Sequence, residues 1–418
     1  MGLRYQPLAA CMKFTRASTK LIRGMDGVLT PQPIDAPGYE YDALGRARGL
    51  LIEGAATNFL RYSTAFDNVL WEKNAGISIG PSAIAAPDGS MSAMVLDLPG
   101  GADGIYQNVG DLSVGAVYSF AVWMRAVSGT ADITLGGIDG PSAQGFTVDE
   151  SWQRVSVSEP ASGTTRYPKI STAVSGVPAS VLIWNAQLEA GPVPTSDIIS
   201  NGIPAARSPD QVMLDPGDWF AQGAGTFVFD LEPPPAWDGI WRIVQLSSAS
   251  LNDDHLDLGY DSDADQLRIS LRKDGTPIVT QSLYGMLNPG TRARIALAWE
   301  DDVVAVGVNG GVLKSPDGFA MPRTFIWPIG PNGWRMRGFW RFQTCNAFFR
   351  KLTPWNLNQW TIPSRPCAPN FCAICPVISN GCAMPIAARH NRPPFCAKPR
   401  ISPRTRRPAR RGLVILKS

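Results

Sequence analysis

Residues that could carry out acid–base or metal chemistry are few in this chain. Its 418 residues include two histidines, His255 and His390, although histidine is the commonest acid–base residue near neutral pH and the commonest metal ligand. Ser–His, Cys–His and His–metal sites are therefore disfavoured. Two carboxylates can hydrolyse a glycosidic bond without histidine, but no pair is recognisable among the 35 Asp and Glu. We expect the protein not to be an enzyme.

The strand pattern VLIWNAQLEA ends in a polar row. Asn185, Gln187 and Glu189 share one parity along the strand, and their amides and carboxylate could bind sugar hydroxyls. In the alternative interpretation, this strand closes a sandwich, and Glu189 caps a turn or pairs with Arg125 or Arg154. We favour this alternative because the motif ends a domain and does not line a central cleft.

Aromatic side chains that could stack on sugar rings form a second group of candidates. They are Trp71, Tyr106, Trp123 and Trp184. A tryptophan in a strand more often belongs to the core. Trp123 is the best candidate, because its parity is opposite to that of the apolar residues of its strand and because Arg125 shares its parity. The predicted carbohydrate site therefore combines Trp123, Arg125, Trp71 and Tyr106 with the polar row.

An acidic stretch, DDHLDLGYDSDADQL, is the one candidate for a metal site outside the C-terminal part of the chain. Asp261, Asp263 and Asp265 resemble the start of a calcium loop, where hard oxygen ligands converge. The glycine and the distal glutamate of such a loop are missing. A solvated turn between strands is the favoured interpretation, calcium is the alternative, and we expect no other cofactor.

Composition predicts an all-β protein. Gly and Pro number 41 and 36, while charged residues make up only 17%, which favours short strands joined by tight turns. YSFAVWMRA and WQRVSVS alternate as strands do, and LRISLRKDGTPIVTQSL is typical of a hairpin. RIALAWEDDVVAVGVNGGVL predicts two further turns. No apolar run is long enough to cross a membrane, so we expect no membrane span.

Turn signals and changes in composition divide the chain into five segments. We predict two β-sandwich (jelly-roll) domains in tandem, preceded by a β-rich attachment or oligomerisation segment and followed by a flexible tail. The segments are 1–66 (attachment), 67–200 (first sandwich), 201–218 (linker), 219–361 (second sandwich) and 362–418 (tail).

The tail differs sharply from the rest of the chain. It holds 11 of the 38 Lys and Arg and no acid, so the other residues carry 27 basic and 35 acidic groups, a net charge of −8. Its ten prolines and its lack of a core favour disorder. Cys372 and Cys375 have the spacing of a zinc knuckle, but a second close pair is missing. A basic tail can bind nucleic acid, yet aromatic residues are too few here for us to expect it.

Three motifs resemble a family of bacteriophage virion proteins, the tail fibres and the head fibres or spikes. They are FTRASTKLIRGMDGVL (14–29), GLLIEGAATNFL (49–60) and IWNAQLEAGPVPTS (183–196). The resemblance covers about residues 14–210. It departs at Ala56, where the family often has Arg, and at Asp197, where it often has an aromatic residue. The region between the motifs resembles galactose-binding-like jelly rolls of carbohydrate-binding modules, and residues 219–361 resemble concanavalin A/laminin-G-like sandwiches.

The resemblance implies a structural protein of the virion, assembled in the host cytoplasm, that adheres to host-surface glycans. Its partners would be those glycans and other virion proteins. We expect a homo-oligomer, for which a trimer is one possibility. Two alternatives remain open: a virion enzyme that cleaves polysaccharide, and a bacterial surface lectin. Against the lectin, the N-terminal stretch lacks the apolar run of an export signal.

Overall fold

Every regular element that the structure describes is a β-strand, which confirms the predicted all-β class. The structure is a computed structural model. It describes residues 12–136, 143–173, 176–214, 224–236, 239–247, 255–261, 263–273, 276–284, 287–300, 303–313 and 340–343.

Six short strands form the N-terminal segment. They are β1 (Met12–Thr15), β2 (Lys20–Arg23), β3 (Leu29–Gln32), β4 (Tyr39–Tyr41), β5 (Ala47–Ile52) and β6 (Ala56–Asn58). β2 and β3 form an antiparallel hairpin. Its turn contains Gly27, at a φ of 80°, a backbone conformation that glycine adopts without steric cost.

Ten strands form the first sandwich. They are β7 (Trp71–Lys73), β8 (Ser78–Pro81), β9 (Met94–Leu98), β10 (Gly104–Gln107), β11 (Val117–Ala126), β12 (Ala131–Gly136), β13 (Gln144–Val148), β14 (Gln153–Pro160), β15 (Lys169–Ser171) and β16 (Ala179–Ala190). Sheet A has the order β13-β12-β15-β10-β7, and sheet B has the order β14-β11-β16-β9-β8.

The core of the first sandwich lies between sheets A and B. Phe120, Val122 and Met124 of β11 are fully buried in it, as the alternation of their strand predicts. Sheet A contributes Ile105 and Ile170 to the same core. Antiparallel sheets usually bury their apolar sides by packing face to face in this way.

The N-terminal segment and residues 201–214 pair with each other through two short ladders. β17 (Ala205–Arg207) pairs with β6, and β18 (Gln211–Leu214) pairs with β1. Residues 201–218, which composition predicts to be a linker, thus contain two strands, because unpaired edges of the N-terminal segment are available as partners.

The outer face of sheet B is covered. Leu29 of the N-terminal hairpin packs with Trp123 and Trp184, which lie on the side of sheet B that faces away from the sandwich core. Half-buried Leu21 joins this second, smaller cluster. The centre of the outer face of sheet B, around Trp123 and Trp184, is therefore not available to solvent, whereas Asp97 and Ser158 on the same face are exposed.

Nine strands follow in the second sandwich region. They are β19 (Ala224–Glu232), β20 (Ile240–Ser247), β21 (His255–Asp261), β22 (Gln266–Lys273), β23 (Thr276–Tyr284), β24 (Ala293–Glu300), β25 (Val303–Val308), β26 (Gly311–Leu313) and β27 (Trp340–Gln343). Sheet C has the order β26-β25-β24-β19-β27-β5-β4, and sheet D has the order β20-β21-β22-β23. β4 and β5 thus extend a sheet of the second region.

The predicted hairpins are confirmed by strand pairing. β22 pairs with β23, and β24 pairs with β25, which pairs with β26. The turn between β25 and β26 is Asn309-Gly310, with both φ angles positive, the type that matches the twist of paired strands. Residues 344–361 of the predicted second sandwich and the tail over 362–418 lie outside the described residues.

Within the described residues, no helix is long and apolar enough to cross a membrane.

Candidate functional site

A β-bulge in β16 sets the direction of the polar row. Ala121 of β11 lies opposite Gln187, whereas Trp123 lies opposite Trp184. One residue of β11 therefore faces two residues of β16, and the first of these, Asn185, has a φ of 43°. An extra residue on one strand shifts the parity beyond it. As a result, Trp184 and Gln187 point to the same face of sheet B although they are three positions apart.

The polar row lies beneath the loop of residues 191–198 and is fully buried. Gln187 Oε1 accepts a hydrogen bond from the backbone N–H of Ile198 at 2.7 Å. The two carboxylate oxygens of Glu189 accept hydrogen bonds from Thr195, one from its backbone N–H and one from its hydroxyl. These contacts hold the loop in place, as expected of a Glu189 that caps a turn, but β16 is the central strand of sheet B and does not form its edge.

Burial changes the acidity of Glu189. Desolvation raises the pKa of this carboxyl to about 7 and outweighs the hydrogen bonds from Thr195 and the charge of Arg154, which lower it. The nearby charge of Glu53 adds to the increase. Removing a carboxylate from water disfavours its charged form, so Glu189 changes its charge near neutral pH.

Trp123, the leading stacking candidate, is 5% exposed and engaged by other side chains. Its Nε1 donates to Asp197 Oδ1 at 3.0 Å, and the guanidinium of Arg23 lies 5.3 Å from the centre of its ring. Asn185 Nδ2 donates to the same Asp197 oxygen at 2.8 Å, and Arg154 Nη2 lies 3.4 Å from it. Asp197 is one of the two positions that depart from the resembled family. It has three polar partners in the interior: Trp123, Asn185 and Arg154.

The remaining candidates of the predicted carbohydrate site occupy different places. Trp71 is 1% exposed, belongs to the sandwich core and packs against Phe66 at 4.9 Å between ring centres. Trp184 is fully buried. Arg125 is half-buried, and its Nε donates to the backbone oxygen of its neighbour Ala126. The structure therefore does not bring the predicted residues together into one site.

Tyr106 is the candidate that reaches an open surface, the outer face of sheet A. It lies directly opposite Glu72 on one neighbouring strand and Lys169 on the other. Its hydroxyl donates to Glu72 Oε2 at 3.0 Å, and this hydrogen bond is the main cause that raises the pKa of Tyr106. Tyr167, which is 50% exposed, meets the ring of Tyr106 edge-to-face at 6.0 Å.

Sequence reasoning missed a buried ion cluster formed by Arg16, Lys20, Glu53, Arg207 and Asp210. Lys20 Nζ lies 2.6 Å from Asp210 Oδ2 and 2.8 Å from Glu53 Oε2. Arg16 Nη1 lies 3.1 Å from Asp210 Oδ1, and Arg207 Nη2 lies 3.6 Å from Glu53 Oε2. All five side chains are almost completely buried.

The electrostatics of the cluster keep the carboxylate of Glu53 charged despite burial. Desolvation would raise the pKa of Glu53, but the charges of Lys20 and Arg207 outweigh it and lower that pKa far below its usual range. Ser196 also donates to Glu53, from its N–H at 2.8 Å and its hydroxyl at 2.6 Å. All three family-like motifs therefore contribute a residue at one point: Lys20, Glu53 and Ser196.

One signal in the sequence could have revealed this cluster. In β2, Lys20 and Ile22 take the buried positions of the alternation while their neighbours are half-buried. A lysine at an inward position requires a buried partner of opposite charge. Which acid fills that role depends on contacts more than 30 residues away, and spacing alone does not give them.

A cleft of about 620 Å³ opens beside the buried ion cluster. Trp123, Arg154 and the 192–197 loop line it on one side, and Pro233–Pro235 line it on the other. Several acids also line it: Glu40, Asp42, Glu53, Asp197 and Glu232.

The acids of the cleft are engaged in contacts within the protein. Asp42 binds Arg46 at 2.7 Å, and Glu232 pairs with Arg48. Glu53 and Asp197 bind the partners described above, and Glu40 also has an interaction partner. Each of the five acids that the structure describes in the lining of the cleft therefore has a partner within the protein.

The acidic stretch proposed for calcium is a turn between β21 and β22. Asp261 lies 3.5 Å from Arg268 and accepts a hydrogen bond from Ala264 N. Asp265 accepts a hydrogen bond from the hydroxyl of Tyr260. Among the described residues, no group of three or more His, Cys, Asp or Glu side chains is arranged to hold a metal ion. The five cysteines of the C-terminal part lie outside the described residues.

Comparison with known proteins gives similarity to solved structures alone. No protein-family model and no curated protein matches the chain. A mutant of Trypanosoma rangeli sialidase displaying trans-sialidase activity is 18% identical with a TM-score of 0.25, and the match covers 32% of this chain and 22% of the sialidase.

Two further solved structures match over more of the chain. The CBM22-1–CBM22-2 tandem of Paenibacillus barcinonensis Xyn10C is 11% identical, with a TM-score of 0.25, over 72% of this chain and 96% of the tandem. Domains LG4-5 of mouse laminin α1 are 10% identical, with a TM-score of 0.20, over 67% of this chain and 93% of that chain. The β-sandwich description of the chain rests on its own strand pairing.

Proposed function

We propose that the chain is a non-enzymatic glycan-binding protein whose ligand lies on the outer face of sheet A, at Tyr106 and Tyr167. The observation that carries this proposal is the contact between half-buried Tyr106 and exposed Tyr167, beside Glu72 and Lys169. Aromatic faces pack on the apolar C–H faces of sugar rings, while a carboxylate and an ammonium group bind hydroxyls.

The choice of sheet A follows from what covers sheet B. The N-terminal hairpin and the 191–198 loop occupy the outer face of sheet B, so Trp123 and the polar row are committed to internal contacts. Sheet A has no such cover at Tyr106, which is half-buried, or at Tyr167. β10 places the ring of Tyr106, and Tyr167 lies two residues before β15 and contacts that ring.

We further propose that the protein works in many copies on a bacteriophage particle, as a tail fibre or as a head fibre or spike. Support comes from the order of the three family-like motifs in the sequence. Weak glycan sites gain about 10²–10⁴ in avidity when several engage together, so a modest site on each copy would suffice for adhesion. Antibody labelling of particles released by the host, viewed by electron microscopy, tests this assignment.

A glycan array followed by calorimetry tests the binding surface. Tyr106→Ala and Tyr167→Ala should each weaken binding by about tenfold, which corresponds to about 1.4 kcal/mol. Tyr41→Ala, which removes a half-buried tyrosine from the cleft lining, is the matched control and should bind as the unaltered protein does. Weaker binding by Tyr41→Ala, with unchanged binding by Tyr106→Ala and Tyr167→Ala, would place the site at the cleft and overturn the proposal. Release of reducing sugar from a bound polysaccharide would instead identify an enzyme.

A further inference from the structure

The buried ion cluster contains the parts of an amide-forming site. Lys20 Nζ, a primary amine nucleophile once deprotonated, lies 2.6 Å from Asp210 Oδ2 and 2.8 Å from Glu53 Oε2. The side chains of Lys20 and Asp210 are both 0% exposed, and that of Glu53 is 2% exposed. Holding two reacting groups in contact replaces a bimolecular encounter with an intramolecular step. We propose that Lys20 and Asp210 condense to form an intramolecular isopeptide bond.

The geometry assigns a role to each neighbouring group. Glu53 is a carboxylate within hydrogen-bonding distance of the Lys20 ammonium, so it can accept a proton and expose the lone pair of the nitrogen. Arg16 Nη1 lies 3.1 Å from Asp210 Oδ1. The backbone N–H of Glu53 donates to Asp210 Oδ2 at 2.8 Å. Both donors can stabilise the negative charge that develops on the Asp210 oxygens during attack.

The atoms and charges balance without any further reactant. The Lys20 nitrogen bonds to Cγ of Asp210, and the bond from Cγ to Oδ2 breaks. Of the three protons of the ammonium, one stays on the amide nitrogen and two leave with Oδ2 as water, passed through Glu53. Oδ1 becomes the amide oxygen and keeps Arg16 as its donor. One positive and one negative charge disappear together, so the net charge of the cluster does not change.

Burial favours this product over the ion pair. Two charges held away from water carry a desolvation cost that their mutual attraction offsets only in part. The amide removes both charges and retains a hydrogen-bond acceptor for Arg16. Water released in a buried site leaves, and its departure opposes the reverse hydrolysis.

The position of the bond gives it a structural purpose. Lys20 and Asp210 are 190 positions apart, and between them lies the whole first sandwich. The bond would tie β2 of the N-terminal segment to the β17–β18 segment, and these two segments otherwise pair through the short ladders β1–β18 and β6–β17. Cross-links that close long loops stabilise by restricting the unfolded chain.

The mass of the intact, denatured and reduced full-length chain tests the proposal directly. We expect a mass lower than the sequence mass by one water, and a digest in which the peptides of Lys20 and Asp210 stay joined. Recovery of the full mass with a free Lys20 peptide would overturn the proposal and leave an ordinary ion cluster.

Variants identify the reacting groups. Lys20→Met should restore the full mass, and Glu53→Gln should slow bond formation by about 10²-fold. Lys73→Met, which removes an exposed lysine, is the control and should keep the loss of water. Loss of water that persists in Lys20→Met would place the dehydration elsewhere, for example in a succinimide at Asp26-Gly27, and would also overturn the proposal.

Discussion

Trp123 and Asp197 share a buried hydrogen bond of 3.0 Å between Nε1 and Oδ1, and Asn185 donates to the same oxygen. The bond joins β11 to the loop that follows β16. The carboxylate is 6% exposed, and Arg154 Nη2 lies 3.4 Å from the same oxygen. The tryptophan therefore acts as a structural donor in the interior of the protein.

Trp123→Phe should lower the free energy of unfolding by about 1–3 kcal/mol, because it removes a donor from a buried charged acceptor. Trp152→Phe is the matched control. Trp152 donates to the backbone oxygen of Ala85 at an exposed position. Removing this donor should therefore lower the free energy of unfolding by less than Trp123→Phe does. Urea unfolding of both variants measures the difference. An equal effect at the two positions would contradict the importance of the Asp197 contact.

Glu189 should make stability depend on pH. Its folded-state pKa of about 7 exceeds the ordinary value of 4.5, so the folded protein binds this proton more tightly than the unfolded chain. The resulting stabilisation is complete below about pH 4.5 and is lost as the pH rises through 7. A pKa shift of this size corresponds to a change of roughly 3 kcal/mol at most in the free energy of unfolding.

Glu189→Gln removes that titration, and its unfolding free energy should vary less between about pH 5 and about pH 8 than that of the unaltered protein. Glu150→Gln, at an exposed position, is the control and should leave the pH dependence unchanged. Urea unfolding at several pH values provides the measurement. The same slope in all three proteins would show that Glu189 titrates normally.

Leu188 lies in the core between sheets A and B with no exposed surface. Leu188→Ala should lower the free energy of unfolding by about 2–5 kcal/mol, because the removed methyl groups leave a cavity. Val69→Ala, at a side chain that is 85% exposed, should change it by less than about 0.5 kcal/mol. Thermal unfolding compares the two. A small effect at Leu188 would argue against the packing of this core.

Gly104 tests the close approach of strands in sheet A. A Cβ atom at this position would lie 2.1 Å from the backbone oxygen of Ile170, a distance that β10 and β15 could relieve only by moving apart. Gly104→Ala should therefore destabilise the first sandwich by more than the roughly 1–3 kcal/mol of an ordinary overpacked site.

Gly145→Ala is the control for that substitution. Gly145 lies in a strand of the same sheet, and its added Cβ would meet no atom within 4 Å. Alanine there should be neutral or slightly stabilising, because it restricts the unfolded chain. Circular dichroism during heating measures both variants, and equal melting temperatures would contradict the close approach of β10 to β15.

The sequence by itself determined the class of the fold and many of its strands. Alternation in YSFAVWMRA and the Asn309-Gly310 turn are local properties, since side chains alternate along a strand and two-residue turns need positive φ angles. The same local reasoning placed the hairpins of β22–β23 and β24–β26. It also favoured the structural interpretation of Glu189, because the motif ends a domain and does not line a central cleft.

Only the tertiary structure decided which faces are open and which charges meet. Composition presented 201–218 as a linker, but β17 and β18 form because distant strands offer unpaired edges. Residue type grouped Tyr106 with Trp71, Trp123 and Trp184 as stacking candidates, but the tertiary structure buries the three tryptophans and leaves Tyr106 on the outer face of sheet A. Lys20, Glu53 and Asp210 are far apart in sequence, and contacts between distant residues depend on how whole sheets pack. The spacing of residues along the chain does not predict how those sheets pack.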